Sequence, residues 1–271
     1  MFFVSEFYSK LSRSDPRHPI ADKTVITDYE SYLDIFSPAS PAETLKGEAS
    51  AAYLYYYKHA IPRIKQHLGD IKILIILRNP VDRAYSSYMH LVRDEVEQLT
   101  FEDFLDDEER RKSDNWDILN FPRSLGLYSE QVKAYMETFS QVKVILLDDL
   151  KNNPEKILSE VYQFLEVDYC ENDLQQVKTG KVFNESSKPK SKFLTMLLSR
   201  QSPWIEAIKS TVKIFIPDQL VKKIKLGLQK KNKKKQEPMK DETRKKLEDF
   251  FREDIIKTQE LINKDLSSWL R

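Results

Sequence analysis

The stretch Ile71–Ser87, IKILIILRNPVDRAYSS, constrains the fold of this chain more than any other. From Ile71 to Leu77 only Lys72 interrupts an apolar, β-branched run, a pattern that predicts a strand buried on both faces of a parallel sheet. Arg78 ends the strand, Asn79 suits a helix N-cap, and Pro80 stands at the first helical position, where its missing N–H costs nothing. A helix is expected from Val81 to about Gln98, with Asp82 favoured by the helix dipole in the first turn.

Strand, tight turn and helix at the carboxyl edge of an α/β sheet form a place where anions bind. Arg78 adds a fixed charge with a planar donor fork suited to phosphate. Ser86 lies about 10 Å further along the helix at 1.5 Å per residue. An anion held by both Arg78 and Ser86 would therefore lie against the helix flank and not on the first-turn amides. The alternative is a structural ion pair for Arg78 and a solvated helix serine at 86.

The string Leu77-Arg78-Asn79-Pro80-Val81-Asp82-Arg83-Ala84-Tyr85-Ser86 resembles the 3′-phosphate-binding motif of sulfotransferases that use 3′-phosphoadenosine-5′-phosphosulfate. Other blocks follow in order. Gly47-Glu48-Ala49-Ser50-Ala51-Ala52-Tyr53-Leu54 resembles the family's GE-x-S/T-P-x-Y-L segment, and Gly126-Leu127-Tyr128-Ser129-Glu130-Gln131-Val132 its GLYxEQL helix start. Asp149-Leu150 with Pro154 and Phe164-Leu165 resembles DL-x-x-x-P…FLG, with Glu166 in place of the usual Gly. Lys264-Asp265-Leu266-Ser267-Ser268-Trp269 resembles the DLSxW ending. The likeness is to the heparan-sulfate-type and bacterial carbohydrate sulfotransferases. It implies an α/β three-layer sandwich with a mostly parallel central sheet, in one domain over residues 1–271. It also implies Arg78 and Ser86 on the donor's 3′-phosphate, and Glu48 and Tyr128 on the acceptor side. Heparan-type members often carry Lys after that Glu, and Ala49 departs from this. Members often close a late basic loop over the donor, which makes Lys181 a further nucleotide contact and Lys190 another candidate.

In that family a strand and a phosphate loop of P-K-x-G-T-T/S type precede a K-E-x-x-F-F segment. Phe2-Phe3 match the end of that segment, so its lysine and its general-base glutamate would fall before Met1. Only Gly47, Gly69, Gly126, Gly180 and Gly227 are present, too widely spaced to build a glycine-rich cradle. The expectation is a start assigned too late, with about a βα unit lacking.

Composition narrows the alternatives. A net charge of +1 gives no whole-chain attraction to nucleic acid. No run approaches about 18 uninterrupted apolar residues, so no membrane span is expected. Met1-Phe2-Phe3-Val4, followed at once by Ser5 and Glu6, is too short and too unbasic for a signal peptide. The single cysteine, Cys170, excludes an internal disulfide framework and fits a reducing, cytoplasmic setting.

Elsewhere Thr27–Ile35 reads as a short helix, Leu45–Ser50 as a short strand and Ala51–Leu68 as one aromatic-rich helix. Glu48, at the end of that strand, reads equally well as a cleft carboxylate or as a loop cap. The acidic stretch Asp94–Arg111 lacks the spacing and glycine of an oxygen-ligand metal loop and reads as a solvated helical face, so no metal is expected. Trp116–Pro122 reads as loop, Leu127–Phe139 as helix, Val142–Leu147 as a second strand parallel to the first, and Pro154–Leu165 as the next helix. This βα order favours a mostly parallel sheet with helices on both faces. Val177–Lys192 has five lysines against one carboxylate, and Lys222–Lys235 has eight lysines and no carboxylate; the second reads as an exposed segment. Asp241–Leu270 reads as a closing helix, with Leu247, Phe250, Phe251 and Ile255 facing the core and Trp269 docking.

The resemblance thus implies transfer of a sulfonate group to a hydroxyl or amine of a small-molecule or glycan acceptor, with adenosine 3′,5′-bisphosphate as the leaving nucleotide. A P-loop kinase would need a GK-S/T loop and a magnesium-binding acid, and the sequence has neither. A non-catalytic protein that keeps only the 3′-phosphate half-site is the other alternative.

Overall fold

The computed structural model describes residues 1–19, 21, 25–40, 45–168, 238–271 and the backbone of 188–189 and 233–234. The chain divides into two compact units, one of Met1–Tyr88, Leu99–Val182 and Met239–Arg271, the other of Met89–Gln98 and Phe183–Pro238. In the second, Lys188–Pro189 pairs antiparallel with Lys233–Lys234.

The first unit is organised around β1 (Ile73–Leu77) and β2 (Val142–Leu146), which run parallel with Ile73 opposite Val142 and Leu77 opposite Leu146. Helices precede and follow each strand. In chain order they are α1 (Ser5–Tyr8), α2 (Tyr29–Asp34), α3 (Ala51–Tyr55), α4 (Tyr57–Leu68) and α5 (Pro80–Arg93). Then come α6 (Phe101–Asp106), α7 (Glu108–Ser113), α8 (Ser129–Thr138), α9 (Leu147–Asn152), α10 (Pro154–Leu165) and α11 (Asp241–Ile262). The alternation of strand and helix is the α/β class expected from the sequence.

β1 is not buried on both faces. Ile75 and Leu77 point into the core, whereas Leu74 and Ile76 are 37% and 52% exposed. On that face α10 lies over β2, where Glu160 pairs with Lys143 at 3.3 Å, and the described residues leave β1's share uncovered. An apolar run alone does not tell one buried face from two. Leu45–Ser50 forms no strand; it is extended and exposed. The helix expected over Ala51–Leu68 breaks at Tyr56, whose backbone (φ −87°, ψ 35°) leaves helical geometry, while its ring stacks on Phe7 at 3.9 Å. α5 stops at Arg93 and not near Gln98, and the chain turns through Glu95 at φ 60°. Trp116–Pro122 contains a 3₁₀ turn, Ile118–Asn120, capped by Asp117.

The N-terminal Phe2, Phe3 and Val4 are buried, with Phe2 stacked on Tyr32 at 5.2 Å and Phe3 edge-on to Tyr53 at 5.5 Å. From the other end of the chain, α11 buries Leu247, Phe251 and Ile255 along one stripe and leaves Phe250 47% exposed, against expectation. Trp269 docks as expected.

The acidic stretch hides two carboxylates, Glu97 and Glu108. Glu108 is fully buried and accepts from Arg123 N (2.9 Å), Ser124 N (2.9 Å) and Ser124 Oγ (2.6 Å), with Lys112 Nζ at 3.2 Å. Burial alone would raise its pKa, but these donors prevail and hold the carboxyl below its ordinary value. Asp107, beside Arg110 and Arg111, is lowered to about 2. Both shifts are depressions, so the stability they supply is present above the ordinary carboxylate range and lost as pH falls through the folded values. The urea midpoint should therefore drop between about pH 5 and about pH 2, and drop less in Asp107→Asn/Glu108→Gln. At neutral pH Glu108→Ala should cost about 3 kcal/mol in urea unfolding, because it orphans the donors of Arg123 and Ser124 and leaves half-buried Lys112 and Arg123 without that carboxylate.

Candidate functional site

The site begins where β1 ends. Leu77 is fully buried and anchors the strand, and the next residue, Arg78, is half-buried at its carboxyl end. Asn79 caps α5 as the sequence predicts: its Oδ1 accepts from Val81 N at 2.9 Å and Asp82 N at 3.4 Å. These first-turn amides are therefore already satisfied. An anion here must be held by side chains along the helix and not by the helix terminus. Ser86 is half-buried on α5, and Asp82 is tied to α11 through Arg244 at 2.7 Å.

Arg78 makes no ion pair or side-chain hydrogen bond among the described residues; its backbone carbonyl accepts from Tyr128 Oη at 3.0 Å. Arg83 stands on α5 between the two predicted contacts, four residues from Asn79 and three from Ser86, so all three share one helix face. Its Nη1 is sealed from solvent and has no hydrogen-bond partner among the described residues. Desolvation and the adjacent Arg78 cation push its pKa down, while Tyr128 and Glu108 act in the opposite sense. The sequence reading passed over Arg83; its i−3 spacing from Ser86 was the available signal.

Tyr128 is placed beside Arg78 but is only 3% exposed. Its hydroxyl is committed to the strand end, its ring packs edge-on to Trp269, and burial raises its pKa against the pull of Arg83 and Arg78. In this position it braces the Arg78 backbone and presents almost no surface to an acceptor, which departs from the expected substrate contact. Asp254 of α11 secures it by accepting from Tyr128 N at 2.7 Å and from Ser129 N and Oγ. Gly126 is required by close packing, since a Cβ there would lie 2.7 Å from Phe251 Cε1 and 3.0 Å from Pro80 Cβ.

Glu48 is exposed, and its two oxygens accept from Tyr53 Oη at 3.1 and 3.2 Å. Burial followed by the Glu48 charge raises the pKa of both Tyr53 and Tyr32. Tyr135, two turns along α8 from Tyr128, donates to Tyr53 O at 2.8 Å. α8 thus touches both candidate groups, Arg78 at its start and the Tyr53 partner of Glu48 further on. Lys181, Lys190, Cys170 and most of Lys222–Lys235 lie outside the described residues. Among the described residues no three His, Cys, Asp or Glu side chains are grouped to hold a metal ion, and no helix is long and apolar enough to cross a membrane.

A parallel β-α-β frame, with a guanidinium at the strand end that has no ion partner among the described residues, defines an α/β protein. Residues 57–259 match the family described as "Sulfotransferase domain", and the chain belongs to that family, whose reaction is sulfonate transfer. It is 29% identical to a crystallised sulfotransferase from Alicyclobacillus acidocaldarius, with a TM-score of 0.67 over 98% of this chain and 85% of that one. It is also 28% identical over 148 residues to the bifunctional heparan sulfate N-deacetylase/N-sulfotransferase 4 of Mus musculus. That match takes in 51% of this chain, but the chain spans only 16% of the mouse protein.

Tyr128→Phe should cost about 1 kcal/mol in urea unfolding, the ordinary net worth of the hydrogen bond that it removes. Phosphonucleotide affinity should fall with it, if the tyrosine holds Arg78 in place. An unchanged affinity would show that Arg78 is positioned without it.

Proposed function

We propose that the chain transfers a sulfonate group from 3′-phosphoadenosine-5′-phosphosulfate to a hydroxyl or amine of a carbohydrate acceptor. The observation that carries this reading is Arg78, a guanidinium at the carboxyl end of β1 with no carboxylate partner among the described residues. In a sulfotransferase such a group suits the 3′-phosphate of the donor. Ser86 adds a half-buried hydroxyl on α5, and the two residues present fit a phosphate, since the Arg78 guanidinium spends none of its donors on a protein partner among the described residues.

The chemistry is in-line: an acceptor oxygen or nitrogen forms a bond to sulfur and gives up its proton to a base as the bond from sulfur to the bridging phosphate oxygen breaks, and adenosine 3′,5′-bisphosphate leaves. Arg78 and Ser86 contribute binding and orientation and take no part in bond-making. Lys181 is proposed as a further nucleotide contact on the family's pattern. Glu48, exposed and steadied by two phenols, is proposed as the acceptor-side carboxylate. The carbohydrate class rests on the heparan sulfate named for the mouse relative.

Calorimetry with adenosine 3′,5′-bisphosphate tests the half-site. Arg78→Ala should weaken binding by about 1.5–3 kcal/mol, roughly ten- to hundredfold, the worth of a hydrogen bond to a charged group. An unchanged affinity would refute the assignment. Glu48→Gln should leave nucleotide affinity alone and lower transfer of labelled sulfonate to a panel of amino and hydroxyl sugars. A loss of nucleotide binding there would move Glu48 to the donor side.

A further inference from the structure

We propose that Asp15 and Asp117, two buried carboxyls that share one guanidinium, form a proton-operated clasp: the pair takes up a proton in mildly acidic solution and then grips the N-terminal segment more tightly against the loop that leads into α8. The two acids are 1% and 5% exposed and 102 residues apart in sequence. The backbone N–H of Asp117 donates to Asp15 Oδ2, and beside it Ser12 N donates to Asn115 O at 3.0 Å and Trp116 Nε1 to Ser14 Oγ at 3.1 Å. The other Asp15 oxygen accepts from Arg17 N at 2.7 Å, and Asp117 Oδ1 accepts from Leu119 N at 2.9 Å. Segment and loop are therefore joined at Asn115, Trp116 and Asp117, and both acids stand inside the joint.

Charge does not balance there. Arg17 is the cation that reaches the pair, and no other pairs with either acid among the described residues. Its Nε lies 3.5 Å from Asp117 Oδ1, buried and without a hydrogen bond. The phenols of Tyr8 in α1 and Tyr56 between α3 and α4 also face Asp117 and bring no positive charge. His18 gives its backbone N–H to the Asp15 carbonyl at 3.0 Å. Arg110 and Arg111 lie against the neighbouring Trp116 ring, and both are engaged by Asp107. Two carboxylates and one guanidinium in a space closed to water leave a negative charge unmatched, and such a charge is most readily neutralised by a proton. Both Asp15 oxygens accept backbone N–H groups, so the proton has its place on Asp117. Burial holds the Asp117 carboxyl above its ordinary value, with Arg17 acting against it and Asp15 in the same sense.

Because the folded value is the higher one, the clasp is strained above it and tightens as pH falls through it, the opposite of Glu108 and Asp107. The segment so gripped carries Phe3 against Tyr53, whose hydroxyl donates to Glu48. The clasp thus bears on the setting of that carboxylate.

The test uses the full chain and Asp117→Asn, which keeps the Oδ1 acceptor for Leu119 N and removes the charge. In ¹³C spectra of aspartate-labelled protein, a carboxyl resonance that is missing from the variant should titrate above the ordinary aspartate value of about 3.9. The variant should melt on the order of 2 °C higher than the unaltered protein at neutral pH, and the two should converge near about pH 4. Amide protection at Ser12, Asp117 and Leu119 should rise from neutral pH to about pH 5 in the unaltered protein and stay level in the variant. Arg17→Met removes the matching cation, so it should move the titration upward and lower the melting temperature more at neutral pH than at about pH 5.

The proposal is overturned if the resonance lost in Asp117→Asn titrates within the ordinary aspartate range. It is overturned equally if the variant melts below the unaltered protein by the same margin at neutral and mildly acidic pH, which would mark Asp117 as a plain ion partner of Arg17. Should Asp117→Asn fail to fold, Arg17→Met decides, and an unmoved titration there refutes the shared charge.

Discussion

The carboxylate of Asp254 holds the candidate site together. It lies on α11, more than a hundred residues away in sequence, and accepts from the backbone of Tyr128 and Ser129 and from the Ser129 hydroxyl. These are donors at the start of α8 that no local side chain satisfies, since α8 has no cap of its own. An acid near a helix N-terminus is also favoured by the dipole. With α8 fixed at this end, Tyr128 reaches the Arg78 carbonyl and Tyr135 reaches Tyr53. One tertiary cap therefore sets the position of the strand end and of the residues around Glu48.

Packing reinforces that tie. Gly126 allows the turn before Tyr128 to approach Phe251 of α11 and Pro80 of α5 more closely than any Cβ would permit. The same two helices are joined by Arg244 and Asp82. The closing helix thus meets both sides of the turn that presents Arg78. This gives a physical reason for a long C-terminal helix in a chain whose chemistry lies near its middle: without α11, the start of α8 would lose its acceptor and the first turn of α5 its ion partner.

How much of this was legible in the sequence depended on the range of the interaction. Asn79 capping α5, Pro154 opening α10, and the parallel pairing of the two apolar strands are set by neighbours or by periodicity, and the sequence carries them plainly. Glu166 could be anticipated as an altered turn, and it occupies the left-handed C-cap at φ 60° where glycine is usual. Glu108 could not. Its five neighbouring acids are at least partly exposed, and only the return of Arg123–Ser124 onto α7 separates it from them. The break at Tyr56 has the same origin, because Phe7 stacks on a ring that local propensity would leave inside a helix. Within the site, the Arg78–Ser86 spacing was readable and the burial of Tyr128 was not, since its partners Asp254 and Trp269 come from the far end of the chain.

The distribution of charge explains why the flank of α5, and not some other basic surface, suits an anion. On the surface, lysines and acids pair at helical spacing, as in Lys246–Glu242 and Lys257–Glu253, and such pairs neutralise themselves in water at little net gain. Inside, Glu108 and Asp107 engage the arginines of the α6–α7 region. Arg78 has no ion partner among the described residues and is half-withdrawn from solvent, where a charge interacts more strongly than it would outside. A fold that pairs Arg111 and Arg123 and leaves Arg78 unmatched among the described residues leaves positive charge at one place, the carboxyl end of β1, eight residues before Ser86.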